Sequence, residues 1–208
     1  MTKSEYENVC KKHFGDDFFY KLNNAKVVVA GLGGLGSHIA VMLARSCIGT
    51  LHLIDFDNVD ISNLNRQEFY LQHIGRPKTE CLKEKLLDIN PFLNIITDNI
   101  KVTVDNMESL FSDEKIVCEA FDDPEQKAML VNGLLSLFPD IKLIAGSGMA
   151  GCADANLIKT RKVFRNFYIC GDEENGIKNH SPLMAARVSV CAGHQANKVI
   201  QLILDKGV

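Results

Sequence analysis

Three glycines near the start of the chain have the spacing of a phosphate-binding turn. Gly31, Gly33 and Gly36 form the pattern G-x-G-x-x-G directly after the apolar run Lys26–Ala30. In a turn from a strand into a helix, one such glycine permits the tight bend, another lets the backbone approach a phosphate, and the third allows close packing of helix on strand. The helix start adds unpaired N–H groups. The pattern predicts nucleotide binding, and a tight turn without a ligand is the alternative.

An acidic residue ends the next predicted strand, where nucleotide-binding sheets hold a ribose. Asp55 closes the run 51–55 and follows the glycines by about 20 residues, as in dinucleotide-binding folds. Its carboxylate can accept hydrogen bonds from the ribose hydroxyls. The turn and the acid together do not distinguish ATP from NAD, and NAD is the usual ligand of such a turn.

The stretch after this strand is rich in charged and amide side chains. Asp57, Asn63, Arg66 and Gln67 follow closely, and Lys78 begins the next predicted helix. A guanidinium binds phosphate oxygens in pairs, and an ammonium neutralises them as a point charge. An acid such as Asp57 can hold Mg²⁺, which prefers carboxylate and phosphate oxygens. A dinucleotide needs few such phosphate-binding and metal-binding side chains, so this group of charged and amide residues favours ATP over NAD.

A further acid follows the fourth predicted strand. Asp122 comes soon after the run 116–119, and ligands of open α/β sheets gather at the carboxyl ends of the strands. We therefore expect Asp122 to face the same phosphates as a Mg²⁺ ligand. A solvated loop explains any one of these charged residues taken alone, but it does not explain a set placed at three strand ends.

These residues must be positioned by strands and helices, and the order of the predicted strands and helices indicates the fold. We expect an α/β fold with a Rossmann-like, mostly parallel sheet, helices on both faces and an antiparallel C-terminal extension. Strand-length apolar runs alternate with segments of helical spacing, as in parallel sheets with helical crossovers. We expect strands at 26–30, 51–55, from 95, 116–119 and 143–146, and helices at 2–14, 37–48, 78–89, 124–138 and 188–204. Residues 157–169 alternate between apolar and polar, which indicates antiparallel strands, and 170–180 is predicted to be a loop.

Length and charge suggest one domain and exclude some classes of partner. The 208 residues suit a single α/β domain over 1–208, with a helical segment at 1–24 and the antiparallel extension and loop at 147–187. The net charge of −3 gives no reason to expect a nucleic acid partner. No apolar run could span a bilayer, and the polar N-terminus is neither a signal nor a transit peptide. We therefore expect a cytoplasmic protein without a membrane partner.

Seven scattered cysteines form no C-x-x-C pair. An odd, scattered set argues against a disulfide framework, and the lack of pairs argues against structural zinc. We expect Mg²⁺ and no zinc.

Together these motifs resemble the ThiF/MoeB/HesA family of carrier-protein adenylating enzymes, which are relatives of the ubiquitin-activating enzymes. The resemblance covers about residues 20–208 and rests on GLGGLGS at 31–37, DFDNVDISNLNRQ at 55–67, GRPK at 75–78 and the Asp after the next strand. The S-x-L-x-R-Q core with its downstream G-x-P-K is far more specific than the glycine turn. Later stretches at 148–161, 184–187 and 193–197 most resemble the short ThiF-like proteins of thiamine biosynthesis.

The resemblance implies an adenylyltransferase that activates the C-terminal glycine of a small ubiquitin-fold sulfur carrier ending in Gly-Gly. The carboxylate would attack the α-phosphate of ATP and yield an acyl-adenylate and pyrophosphate, with positioning and charge stabilisation supplying the rate. By the same resemblance the enzyme is a homodimer, and Arg66, Lys78 and Asp122 carry the chemistry. The implied contacts are Gly34 and Asp55 with the nucleotide, Asp55 through its ribose, Asn63, Arg66 and Lys78 with the phosphates of ATP, and Asp122 with Mg²⁺.

Two other functions stay open at this point. An enzyme of the same superfamily that activates a carboxylate on modified tRNA is compatible with the N-x-N-R-Q spelling at 63–67. An NAD-dependent oxidoreductase, or a nucleotide-binding protein without catalysis, would use only the glycine turn and Asp55. The chain also departs from the family, because no arginine precedes Arg45 to reach across a dimer, and Cys170 is the only cysteine near the loop where relatives place a reactive one.

Overall fold

A seven-stranded sheet brings the glycine turn and the charged loops to one edge. The computed structural model describes residues 1–176 and 182–205. The strands are β1 Lys26–Ala30, β2 Thr50–Ile54, β3 Asn94–Asp98, β4 Ile116–Glu119, β5 Lys142–Gly146, β6 Lys159–Phe164 and β7 Phe167–Gly171. Their order in the sheet is β3-β2-β1-β4-β5-β7-β6. β1 pairs in parallel with β2 on one side and with β4 on the other, so the order reverses there and leaves a crevice over their carboxyl ends.

Helices cover both faces of the sheet. Successive β1 residues alternate between two apolar clusters, with Val27 and Val29 in the larger one and Val28 and Ala30 in the other. The helices are α1 Lys3–Phe14, α2 Asp16–Asn23, α3 Gly34–Arg45, α4 Lys78–Ile89, α5 Val104–Phe111, α6 Pro124–Leu137 and α7 Ala185–Ile203. The larger cluster includes residues of α3, α4 and α7, and the smaller one includes residues of α5 and α6.

The C-terminal extension is a hairpin added to the edge of the sheet. β6 and β7 pair antiparallel, as expected, and β7 joins the sheet in parallel with β5. Cys170 and Gly171 lie in β7, so the loop predicted at 170–180 begins later than expected, and its last residues, 177–180, lie outside the described residues. The predicted fold class is confirmed, and α1 and α2 fall within the helical segment expected at 1–24, while the prediction missed the short helix α5.

The described helices contain none that is both long enough and apolar enough to cross a membrane.

Candidate active site

A cavity of about 1160 Å³ opens above the carboxyl ends of the parallel strands. It is bounded by the glycine turn after β1, the loop after β2, the loop after β4 and the segment that follows β5. All but one of the residues predicted from the sequence line it; those that do are Gly31, Gly33, Gly34, Asp55, Asp57, Asn63, Arg66, Gln67, Lys78 and Asp122. The three chain segments that bear them, after β1, β2 and β4, therefore converge on a space large enough for a small-molecule ligand.

The glycine turn presents a helix start to this cavity. Gly31 has φ of +89°, and a Cβ there would lie 2.8 Å from the Ala120 carbonyl oxygen, so only glycine fits. α3 starts at Gly34 with Gly33 as its N-cap, and no side chain caps it. The first N–H groups of α3 are therefore available to an anion, and the helix dipole favours one.

Gly36 is the one predicted residue that does not line the cavity. A Cβ at Gly36 would lie 1.8 Å from the Gly31 carbonyl oxygen. Its absence lets α3 pack directly against the turn. Gly36 thus shapes the turn by close packing, whereas Gly31, Gly33 and Gly34 line the cavity.

Asp55 holds the glycine turn to the end of β2. One carboxylate oxygen accepts a hydrogen bond from the Leu32 N–H at 2.6 Å, and the other accepts one from the Asp57 N–H at 2.8 Å. Burial raises the pKa of Asp55, and the nearby Lys78 charge opposes this shift. Each oxygen keeps a second lone pair, so the carboxylate can brace the turn and still accept hydrogen bonds from a diol.

Lys78 places an ammonium at the cavity with little water around it. Its side chain is only 7% exposed, and Nζ lies 2.8 Å from Asp57 Oδ2. The Asp57 side chain is 49% exposed, so it can turn to solvent without leaving a stranded buried charge. A cation held by a flexible partner in a poorly hydrated site can interact strongly with an anionic ligand.

Arg66 and Gln67 carry buried polar atoms that lack a partner. The Arg66 Nη1 group donates to the Ser62 carbonyl oxygen and to Asn65 Oδ1, each at 2.9 Å, but no described residue pairs with its Nε. Gln67 Oε1 is likewise buried and unpaired. Such atoms are costly unless something satisfies them. Their presence on the cavity wall fits a polar ligand.

The two neighbouring acids after β4 have different tasks. Asp123 is the N-cap of α6 and accepts hydrogen bonds from the N–H groups of Glu125 and Gln126. Asp122 lines the cavity and is exposed. A single free carboxylate beside a polyphosphate is the usual protein contribution to a Mg²⁺ site, so Asp122 fits this ion. Within 1–176 and 182–205 no group of three or more acidic, His or Cys side chains could hold a metal by itself.

Two parts of the cavity wall were not predicted. Lys127 lines the cavity and pairs with the fully buried Glu119. Burial raises the pKa of Glu119, and the Lys127 charge opposes this shift.

An apolar part of the wall comes from residues near the ends of β2 and β4 and from the loop after β3, a surface that suits a flat base. Its members include Ile54, Ile100, Val102, Ala120 and Phe121.

Comparison with known proteins identifies the family. The ThiF family profile matches residues 6–208. The chain belongs to the ThiF family. Among similar members, the tRNA threonylcarbamoyladenosine dehydratase of Bacillus subtilis is 37% identical over 142 residues, which cover 67% of this chain and 55% of the relative. The molybdopterin-synthase adenylyltransferase of Salmonella typhimurium is 35% identical over 129 residues, which cover 62% and 51%.

The matched region is about half the length of these ThiF relatives. Among solved structures, Escherichia coli tRNA N6-threonylcarbamoyladenosine dehydratase in complex with ATP superposes with a TM-score of 0.87 and covers 99% of this chain and 97% of that one. At 22% identity this likeness shows the shared fold.

Phe167, Ile169 and residues 147–150 of the C-terminal extension line the cavity, whereas Cys170 does not. Cys170 is fully buried in β7, where burial raises the pKa of its thiol to about 11. Such a thiol is a poor nucleophile. Arg187 pairs with Asp172 in a buried contact, and Arg161 forms a two-pronged ion pair with Glu173, so neither arginine lines the cavity.

Proposed function

We propose that this ThiF-family chain is an ATP-dependent adenylyltransferase that activates a substrate carboxylate. A carboxylate oxygen attacks the α-phosphorus of ATP, the bond from that phosphorus to the bridging oxygen breaks, and pyrophosphate leaves. The observation that carries the proposal is the meeting of Arg66, Lys78 and the start of α3 at one cavity. Three positively polarised groups around one space match a polyphosphate better than the single pyrophosphate of a dinucleotide.

In this proposal the residues act by position and charge. Asp55 holds the turn and accepts the ribose hydroxyls, and the apolar wall receives the adenine. Arg66 and Lys78 stabilise the negative charge that builds on the phosphates as pyrophosphate departs. Asp122 would hold a Mg²⁺ ion, which neutralises phosphate charge when bound. The enzyme contributes no nucleophile, which agrees with the buried thiol of Cys170.

Two substrates are candidates for the carboxylate. The first is a carboxylate on modified tRNA, which the Bacillus subtilis dehydratase supports at 37% identity together with the near full-length match of the Escherichia coli dehydratase fold. The second is the C-terminal glycine of a ubiquitin-fold sulfur carrier in thiamine thiazole synthesis, as the sequence motifs imply. The Salmonella typhimurium adenylyltransferase and a Dictyostelium discoideum ubiquitin-like modifier-activating enzyme 5 support this second type.

Pyrophosphate exchange tests the proposal and separates the substrates. Adenylate formation is reversible, so labelled pyrophosphate should enter ATP only when a substrate carboxylate is present. We expect exchange with tRNA bearing threonylcarbamoyladenosine or with a Gly-Gly carrier, and none when the carboxylate is absent or amidated. Exchange with neither substrate, or tighter calorimetric binding of NAD than of Mg-ATP, would contradict the proposal.

We also propose that the enzyme is a homodimer. Exposed apolar residues cluster in the segment between β2 and α4, among them Ile61, Tyr70, Leu71 and Ile74. An apolar patch of this kind is typical of an interface. Light scattering on the purified chain should give a mass close to twice 23.1 kDa, and a mass near the monomer value at micromolar concentration would contradict this.

A further inference from the structure

A second, smaller opening lies between the edge strand β6 and the helix α7. It has a volume of about 590 Å³ and shares no lining residue with the nucleotide cavity. Every side chain on its wall is polar, and the described structure places no acidic residue among them. They are Lys159, Thr160, His194, Asn197, Lys198 and Gln201. We name this opening the β6–α7 groove.

Lys198 places a buried positive charge in the β6–α7 groove, and its neighbours only partly neutralise that charge. The residue is only 6% exposed. Its Nζ lies 3.3 Å from Gln201 Oε1 and 4.5 Å from the centre of the Tyr168 ring. In the described part of the chain no carboxylate forms an ion pair with it at 4.0 Å or less. Contacts with a ring face and an amide restore only part of the hydration free energy that an ammonium loses on leaving water. The site therefore favours a bound anion.

The remaining groups of the groove include further hydrogen-bond donors. The Thr160 hydroxyl lies 3.0 Å from His194 Nδ1, which fixes the imidazole through one nitrogen and leaves Nε2 for another partner. Asn197 and Gln201 carry amide NH₂ groups, and Lys159 adds a second ammonium from the exposed strand. Donors therefore approach the space from both the strand and the helix.

We propose that the β6–α7 groove is a phosphate-binding site separate from the nucleotide cavity. Two point-like ammonium groups and several single donors suit a compact tetrahedral anion, whereas a planar carboxylate is best matched by the fork of an arginine, which the groove lacks. The phosphate can come from a small phosphate compound or from the backbone of a polynucleotide, because β6 is exposed along its whole length. The site does not depend on the proposed adenylation.

Inorganic phosphate is the probe for this site, followed by amide NMR shifts of the full chain. We expect saturable shifts at Thr160 and at the side-chain amides of Asn197 and Gln201. Lys159→Met and Lys198→Met should each weaken the apparent affinity by about tenfold, as expected for loss of one charge-assisted hydrogen bond. Lys12→Met, which removes one exposed charge from α1, is the matched control and should change nothing.

Three results would overturn this proposal: shifts confined to Gly33 and Gly34, shifts that do not saturate, or a Lys12→Met effect as large as that of Lys159→Met. If Lys198→Met fails to fold, Lys159→Met decides the question alone, since its side chain is exposed.

Further ligands identify the source of the phosphate. Binding of tRNA that weakens in Lys159→Met but not in Lys12→Met would show a polynucleotide backbone in the β6–α7 groove. Phosphate binding that depends on Lys159 while tRNA binding does not would indicate a small phosphate compound. A glutamate-rich peptide that binds with the same lysine dependence while phosphate does not would overturn the assignment to phosphate.

Discussion

Replacement of Lys78 by methionine should separate catalysis from folding. Methionine keeps an unbranched apolar stem and removes the charge. The Lys78 side chain is 7% exposed, so water screens its charge weakly. At an effective dielectric constant of about 20, two unit charges about 4 Å apart interact with about 4 kcal/mol. Removing one preorganised charge-stabilising group from an active site typically lowers kcat by about 10²–10³. We expect a loss in this range for Lys78→Met.

The stability cost of the same change should be small. Lys78 leaves behind Asp57, whose side chain is 49% exposed and can hydrate. Loss of such a partly exposed pair costs on the order of 1 kcal/mol or less. The free Asp57 carboxylate would also repel phosphates, which deepens the catalytic loss. Because the Lys78 charge opposes the raised pKa of Asp55, that pKa should rise further, and the acid limb of residual activity should move to higher pH.

Lys85 on the same helix provides the matched control. Its side chain is 13% exposed and pairs with Glu68, but it does not line the cavity. Lys85→Met should keep pyrophosphate exchange within about threefold of the wild type, which is about 0.7 kcal/mol. The assay is substrate-dependent exchange at saturating ATP, with urea unfolding of each variant alongside. A folded Lys78→Met that keeps activity within the same threefold would refute the role given to this ammonium.

Three further predictions concern the framework of the site. Gly36→Ala should destabilise the chain by about 3 kcal/mol or more in urea unfolding, because its Cβ would overlap the Gly31 carbonyl oxygen; in Gly193→Ala, where the space is open, no loss is expected. Burial lowers the pKa of His52, but the hydrogen bonds that its ring N–H groups donate to the Glu114 and Asp98 carboxylates outweigh this effect, and the pKa is raised. Charged His52 therefore stabilises the folded state fully below the unfolded pKa of about 6.5, and this stabilisation fades as pH rises through the higher folded pKa. The difference in unfolding free energy between wild type and His52→Gln should shrink as pH rises from the unfolded to the folded pKa. A difference that stays constant with pH would contradict this role of His52. Cys152 is the only exposed cysteine of the seven, so a native-state thiol reagent should modify one cysteine rapidly, and Cys152→Ser should abolish that phase.

The sequence predicted the central sheet well because its signals are local. The apolar runs of β1 and β4 and the start of α4 after a proline were expected at the residues where they occur. α5 was missed because a helix of eight residues is marginal by itself. α5 is stabilised by Met107 and Phe111, which pack into the smaller core cluster. That packing is a tertiary effect which no window of sequence contains.

The residues of the site could be predicted where charged side chains stand at strand ends or helix starts. Asp55 follows β2 and Lys78 begins α4, so topology alone brings them near the cavity, and Arg66 lies in the segment that joins these two elements. The pairing of Lys127 with Glu119 depends on the path of α6 beside β4, and the apolar wall looks like ordinary core in the sequence. One signal was present but unused: an Asp before Pro124 is a typical helix cap, which distinguishes Asp123 from Asp122.

A crystal structure with a non-hydrolysable ATP analogue and Mg²⁺ tests the central claim most directly. The account predicts the triphosphate over the start of α3, with its oxygens within hydrogen-bond distance of Lys78 Nζ and the Arg66 guanidinium. An analogue bound with its phosphates away from both side chains, or bound outside this cavity, would contradict it.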